Sequence, residues 1–107
     1  MRAGNVRQRQ KATNLDNYLR ASVFYSGRVQ GVGFRYTVKR LVCGFDVSGF
    51  VENLSNGQVK LVIEGEKNEL EAFILAVGES GLGPMIRGEE VFWSDATGEY
   101  RGFSIVR

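Results

Sequence analysis

The stretch Gly27-Arg28-Val29-Gln30-Gly31-Val32-Gly33-Phe34-Arg35 connects an apolar run to a segment with helical spacing. Its glycines Gly31 and Gly33 lie where a predicted strand gives way to a predicted helix. Because glycine adopts backbone conformations that other residues resist, such a loop can point successive N–H groups into one concavity. A helix N-terminus attracts an anion to that concavity, and Arg35 adds a permanent charge with a planar fork of donors. The stretch therefore predicts a phosphate-binding loop.

Two common phosphate-binding motifs do not fit this loop. A dinucleotide fingerprint needs a third glycine three residues after Gly33, where Tyr36 stands, and a P-loop needs Gly-Lys-Ser/Thr, which is absent. Taken alone, the glycines and Arg35 are equally compatible with an ordinary tight turn followed by a surface arginine. The rest of the chain decides between the two interpretations.

A second motif, Gly49-Phe50-Val51-Glu52-Asn53, is followed by Asn56-Gly57. By itself, Asn53 is typical of an asparagine that bonds its own turn. Together, however, the two motifs resemble the two signatures of the acylphosphatase family, and Arg35 and Asn53 have that family's separation. The resemblance covers about residues 23 to 105.

The resemblance implies an enzyme that hydrolyses acyl phosphates, the mixed anhydrides of a carboxylic acid and phosphate. It implies that Arg35 binds the phosphate, that Asn53 orients the attacking water, and that no metal or other cofactor takes part. Phosphate-binding residues are expected throughout the loop: Gln30, Gly31, Val32, Gly33, Phe34 and Arg35.

Hydrophobic periodicity predicts two helices and five strands, and turn residues separate them. Their order indicates a ferredoxin-like α+β two-layer sandwich, βαββαβ plus a short last strand, with an antiparallel sheet and two helices on one face. Since strands joined by a helical crossover run parallel, the loop and Asn53 are expected to border one cleft. The predicted elements are strands 22–29, 47–53, 58–64, 85–93 and 102–106 and helices 35–45 and 66–79.

Several local features carry their own expectations. The first helix should continue to Phe45 with Asp46 as its C-cap, which leaves Cys43 exposed. Asn56-Gly57 predicts a hairpin, because both residues accept positive φ. Gly88 predicts a bulge or weak pairing in the fourth strand.

Composition narrows the classes of function. With 107 residues the chain suits one domain, and 43% hydrophobic residues suffice for a core. There is no histidine, which excludes imidazole-based acid–base catalysis, and the single cysteine excludes an intramolecular disulfide. No apolar run approaches the ~18 residues that span a bilayer, and the N-terminus lacks the apolar region of a signal peptide. We expect a cytoplasmic protein without membrane contact.

Positive charge is concentrated at the N-terminus. Residues 1–20 hold five cations against one acid, a balance of +4, so the remainder of the chain sums to −2. We interpret residues 1–19 as a basic extension and 20–107 as an acylphosphatase-like domain. The extension could be an arm for RNA or an acidic partner, but a solvated tail is the favoured interpretation. Within it, Leu15, Tyr18 and Leu19 could form one apolar helical turn.

Two further functions remain alternatives to the enzyme. One is a binding module like the first domain of hydrogenase-maturation proteins that handle carbamoyl phosphate. The other is a nucleic-acid-binding plait, which would need exposed aromatics on its central strands and a basic sheet face. We favour a monomeric enzyme with a small acyl phosphate as its substrate and do not expect it to bind nucleic acid.

Overall fold

Seven main elements make up the computed structural model, which describes residues 17–107. Their type and order are as predicted, and a short 3₁₀ helix at Gly83–Met85 precedes the fourth strand. The elements are β1 Tyr18–Gly27, α1 Phe34–Val42, β2 Ser48–Asn53, β3 Val59–Glu66, α2 Lys67–Glu79, β4 Ile86–Asp95 and β5 Phe103–Val106.

The five strands form one sheet in the order β4-β1-β3-β2-β5. β1 and β2 both pair antiparallel with β3, so they run parallel to each other and end at the same edge, as predicted. The prediction of a fully antiparallel sheet is wrong, because β5 pairs parallel with β2. The chain leaves β4 at one edge and crosses to the other edge before β5, so the final pairing does not come from a hairpin.

β1 begins earlier than the sequence suggested. Tyr18 pairs with Glu66 and Leu19 with Gly65, so both residues belong to the sheet and not to a helical turn. A one-turn helix is marginal in water, whereas β1 finds a backbone partner on each side. The domain therefore includes at least two residues assigned to the extension, and Leu15 lies outside the described residues.

Both helices pack on one face of the sheet and enclose a single core. Alternate residues of β1 and β3 face the helices, and Phe34 and Val38 of α1 meet them there. From α2 come Leu70, Phe73 and Val77, and all three are fully buried. The predicted apolar stripes of both helices are thereby confirmed.

The end of α1 differs from the prediction. The helix ends at Val42 with Cys43 as its C-cap, and Cys43 is exposed as expected. The next residues form i→i+3 bonds, including Phe45 N–H to the Val42 carbonyl, in place of helical bonds. Gly44 weakens the helix at this point. Phe45 still reaches the core, with its ring 5.2 Å from that of Phe73.

Two of the local expectations concern turns and bulges in the sheet. The register of β1 with β4 shifts beside Gly88, which confirms a bulge there. The hairpin between β2 and β3 is confirmed, but only Gly57 has a positive φ, of 93°. Asn56 instead accepts a hydrogen bond from the Gln58 N–H through Oδ1, at 3.0 Å. The turn thus combines an asparagine side-chain bond with one left-handed glycine.

Candidate active site

The loop of residues 28–33 leaves β1 and enters α1 through two left-handed glycines. Gly31 and Gly33 have φ values of 77° and 78°, which favour glycine over any residue with a Cβ atom. Gly33 is the N-cap of α1 and offers no side-chain cap to the helix. The first hydrogen bond of the helix runs from Thr37 N–H to the Gly33 carbonyl. The preceding N–H groups, starting at Phe34, therefore have no partner within the helix.

A cavity of about 130 Å³ lies between this loop and the end of β2. Because a water molecule takes up about 30 Å³, there is room for a small tetrahedral anion and one water. The lining residues are Val29, Gly31, Gly33, Phe34, Arg35, Tyr36 and Asn53.

Arg35, at the second position of α1, has no acidic partner among residues 17–107. Its Nη1 donates to the carbonyl of Val106 in β5 at 3.2 Å, which leaves its other donors free of side-chain acceptors in the described part of the chain. A guanidinium that is held by one neutral oxygen keeps its full charge for an anion.

Asn53, the last residue of β2, lines the cavity and carries a buried side-chain oxygen that is unpaired among residues 17–107. Its Oδ1 has no hydrogen-bond partner among the described residues, although it is shielded from solvent. An orphaned buried acceptor costs about 1–3 kcal/mol, so this atom favours a bound water or ligand. The turn that follows is held by Asn56, and Asn53 is therefore not the residue that bonds its own turn.

Tyr36 stands at the mouth of the cavity with about half of its side chain exposed. Its hydroxyl accepts a hydrogen bond from Arg107 Nη2 at 3.0 Å. This bond and the positive charge of Arg107 lower the pKa of the Tyr36 hydroxyl. Tyr36 was given no role at the site in the sequence analysis.

The structure brings most of the predicted site residues together. Gly31, Gly33, Phe34, Arg35 and Asn53 all line the cavity. Two predicted residues are absent from the cavity lining: Val32, which packs against the core, and Gln30, whose side chain turns toward the β2–β3 hairpin.

Val29 and Tyr36 line the cavity but were not predicted. Each is next in sequence to a predicted site residue, Val29 to Gln30 and Tyr36 to Arg35, and this adjacency could have indicated that they line the site. Among residues 17–107, no three Cys, Asp or Glu side chains cluster as metal ligands, and no helix is both long and apolar enough to cross a membrane.

Comparison with known proteins assigns this chain to a phosphate-handling family. The acylphosphatase family model matches residues 21–105. The acylphosphatase of Roseiflexus sp. is 40% identical over 81% of this chain and 94% of its own length. That of Salinibacter ruber is 42% identical over 82% of this chain and 93% of its own. The chain therefore belongs to the acylphosphatase family.

Solved structures agree with this assignment. The crystal structure of acylphosphatase from Bacillus subtilis is 34% identical and superposes with a TM-score of 0.76, over 83% of this chain and 99% of that one. Full-length HypF, determined in a phosphate- and nucleotide-bound form, is 31% identical with a TM-score of 0.74. That match covers 84% of this chain but only 12% of HypF. The ferredoxin-like α+β fold is thereby confirmed.

Proposed function

We propose that this member of the acylphosphatase family hydrolyses acyl phosphates in the cavity between its glycine loop and Asn53. One observation carries the assignment of residues. Arg35 and Asn53 line the same small cavity, and within residues 17–107 the Arg35 guanidinium has no acidic partner and the buried Asn53 Oδ1 has no donor. The guanidinium is suited to bind an anion, and the amide oxygen is suited to accept a hydrogen bond from a water molecule.

Arg35 and the loop bind the phosphoryl group. The guanidinium can donate two parallel bonds to phosphate oxygens, and the free N–H groups at the start of α1 add further donors. The predicted contribution of the Gln30 and Val32 backbones stays part of this proposal. Since phosphoryl transfer needs mostly positioning and charge stabilisation, fixed donors of this kind are sufficient catalytic groups.

Asn53 holds the attacking water. Its Oδ1 accepts one O–H of the water, which directs an oxygen lone pair toward phosphorus. The new P–O bond forms as the bond from phosphorus to the acyl oxygen breaks, and that electron pair leaves with the carboxylate. A phosphate oxygen of the substrate takes the proton of the water.

The leaving group explains why no histidine is required. The parent carboxylic acid has a pKa near 4, so the carboxylate departs without being protonated. An alkoxide would need a proton donor, and the described cavity lining contains no carboxylic acid or imidazole. The site therefore selects acyl phosphates over phosphate monoesters.

The test of this function is hydrolysis of benzoyl phosphate with and without a chelator, and with an alkyl phosphate such as glycerol 3-phosphate as the monoester control. We expect hydrolysis of the acyl phosphate at equal rates in both conditions and little action on the monoester. Activity that disappears with the chelator, or equal rates on both substrates, would contradict the proposed chemistry.

The alternatives receive less support from the molecule. A domain that forms part of a larger protein has a parallel in full-length HypF, but the acylphosphatases of Roseiflexus and Salinibacter match over nearly their whole length. On the open sheet face, Arg20 forms ion pairs with Glu64 and Glu99, and Lys60 lies opposite Glu52 of β2 in the strand register. That face is not basic, so we do not propose nucleic-acid binding. A monomer in the cytoplasm remains our expectation.

A further inference from the structure

Gln30 makes two hydrogen bonds that its sequence motif does not suggest. Its side-chain Nε2 donates to the carbonyl oxygens of Leu54 and Gln58, each at 2.8 Å. Only a group with two N–H bonds can satisfy two carbonyl oxygens at once, so the amide orientation follows from its partners. The side chain is partly buried, which protects both bonds from exchange with solvent.

These two bonds connect the two halves of the candidate active site. Gln30 directly precedes Gly31 of the phosphate loop, and Leu54 directly follows Asn53. Within residues 17–107, no other side-chain hydrogen bond joins loop 28–33 to the β2–β3 hairpin. Both acceptors also receive one backbone bond each, from Gly57 N–H to Leu54 and from Leu54 N–H to Gln58.

We propose that Gln30 is a positioning residue that sets the separation between the phosphate loop and the Asn53 amide. This inference rests on the proposed function, since it assigns to one side chain the alignment of bound phosphate with the attacking water. Asn53 Oδ1 has no hydrogen-bond partner in the described protein that would hold it in place, so the backbone position at the end of β2 limits where this atom can lie. A misplacement of about 1 Å can cost roughly 100-fold in rate, even when the change is remote from the reacting atoms.

The variant Gln30→Met tests this role. Methionine has a similar length but no donor, and both carbonyls keep their backbone bonds, so the hairpin should still form. We expect turnover to fall by roughly 10- to 100-fold while inhibition by inorganic phosphate changes little. Unchanged turnover in the folded variant would overturn the proposal.

The matched control is Asn56→Ala. This change removes the Asn56 bond to Gln58 N–H and weakens the same turn without touching the Gln30 bonds. If Gln30 merely stabilised the hairpin, both variants would lower stability and leave turnover alone. We expect that pattern from Asn56→Ala only.

A double-mutant cycle shows whether Gln30 acts through Asn53. In an Asn53→Ala background there is no amide left to position, so adding Gln30→Met should cost little further turnover. An equal loss in both backgrounds would mean that Gln30 acts elsewhere, and the proposal would be wrong.

A pH profile keeps the inference testable if Gln30→Met does not fold. Gln30→Glu places a carboxylate against two carbonyl oxygens at neutral pH, whereas the protonated acid can donate one bond. Relative to the unsubstituted protein, its turnover should rise as the pH falls. A constant ratio across the pH range would contradict the proposal.

A measurement without turnover separates this inference from the proposed function. If the unsubstituted protein fails to hydrolyse benzoyl phosphate, the proposed function falls. The position of Asn53 can still be followed by its side-chain amide signals in NMR spectra. They should move on Gln30→Met and stay in place on Asn56→Ala, and no movement in Gln30→Met would refute the positioning role.

Discussion

Arg35 and Asn53 differ in what already occupies their polar atoms. Arg35 is held by a single carbonyl oxygen, whereas the Oδ1 of Asn53 is held by nothing in the described protein. The bond to the Val106 carbonyl orients the charge of Arg35, whereas Asn53 keeps an acceptor that a water molecule or ligand can use. Substitutions at the two positions should therefore fail in different ways.

Arg35→Lys keeps the charge and loses the planar fork. We expect kcat/KM to fall by about 100-fold or more and phosphate inhibition to weaken, because lysine cannot bind two phosphate oxygens in the same geometry. Stability should stay within about 0.5 kcal/mol, since the bond to Val106 is exposed. Steady-state kinetics on Arg40→Lys, an exposed position of the same helix, provides the control. Full activity with unaltered phosphate inhibition in Arg35→Lys would remove Arg35 from the site.

Asn53→Ala should separate turnover from binding. We expect turnover to fall by ~10²–10⁴ because the water loses its orienting group, while phosphate inhibition persists. The unfolding free energy should not fall, since the deleted oxygen is buried without a partner. Asn56→Ala should behave in the opposite way, losing about 1 kcal/mol with turnover intact. Loss of phosphate inhibition in folded Asn53→Ala would place that residue in the phosphate-binding group instead.

The site residues show what a sequence can specify at this scale. Arg35 and Asn53 were identifiable because their backbone positions, at a helix start and a strand end, determine where they lie. The side-chain contacts of Gln30 were not predicted, because its motif gives the path of the backbone but not the direction of a long side chain. Its two acceptors are carbonyl oxygens of Leu54 and Gln58, and backbone groups leave no trace in the residue types.

Among the elements, the segment between β4 and β5 depends on one buried carboxylate. Glu64 of β3 accepts bonds from the N–H groups of Thr97 and Gly98 and from Arg20. Burial alone would raise the pKa of the Glu64 carboxyl, but these donors outweigh burial and lower it below its ordinary value of 4.5. The Glu64 carboxylate therefore stabilises the fold fully at pH values above the ordinary pKa, and this stabilisation is lost as the pH falls through the lowered pKa of the folded protein.

Glu64→Gln should remove this pH-dependent contribution. At neutral pH we expect a loss of about 2 kcal/mol, the range for hydrogen bonds to a charged group. The variant and the parent protein should then converge in stability as the solution is made more acid than about pH 4. Chemical denaturation from pH 7 to pH 3 measures this, with the exposed Glu90→Gln as control. A constant difference between Glu64→Gln and the parent at every pH would contradict the assignment.

Elements also show why boundaries are harder to predict than types. α1 was placed through Phe45 because Phe45 continues the apolar spacing, and it does pack on Phe73. The chain reaches that contact through tight i→i+3 turns after Val42 and not through a longer helix. Periodicity reports which side chains are buried, but different backbone paths can bury the same side chain.

For the whole molecule, the extension and the domain can be separated by truncation. Removing residues 2–16 should leave folding and hydrolysis nearly unchanged, because the family match begins at residue 21 and the described sheet at Tyr18. Removing residues 2–19 should lower the melting temperature, since Tyr18 and Leu19 pair with β3 and Leu19 packs against the core. Thermal unfolding and benzoyl phosphate hydrolysis of both proteins measure this. Equal behaviour of the two truncated proteins, or a loss of activity on removal of residues 2–16 alone, would contradict a domain boundary at Tyr18.

The strand order was predictable apart from its last member. The βαββαβ pattern places β3 between β1 and β2, because crossover handedness leaves few topologies. The partner of β5 is not specified by local spacing. The other four strands leave two free edges, β4 and β2, with which these four residues can pair. Contacts with α1 favour the pairing with β2, including the hydrogen bond from Lys39 Nζ to the Phe103 carbonyl at 2.7 Å.

That strand order also governs how fast the chain can reach its native state. Of the described strands, only β2 and β3 are both consecutive in sequence and paired, whereas β1 must find β4 across most of the chain, from Leu19 to Asp95. Closing such long loops costs entropy before the distant strands can form stabilising contacts, so we expect slow folding for a domain of this size. The β2–β3 hairpin, which ends in Asn53 and its turn, can form first and offer an edge to β1. The segment that carries Asn53, for which we propose the water-orienting role, would then also be the place where the fold nucleates.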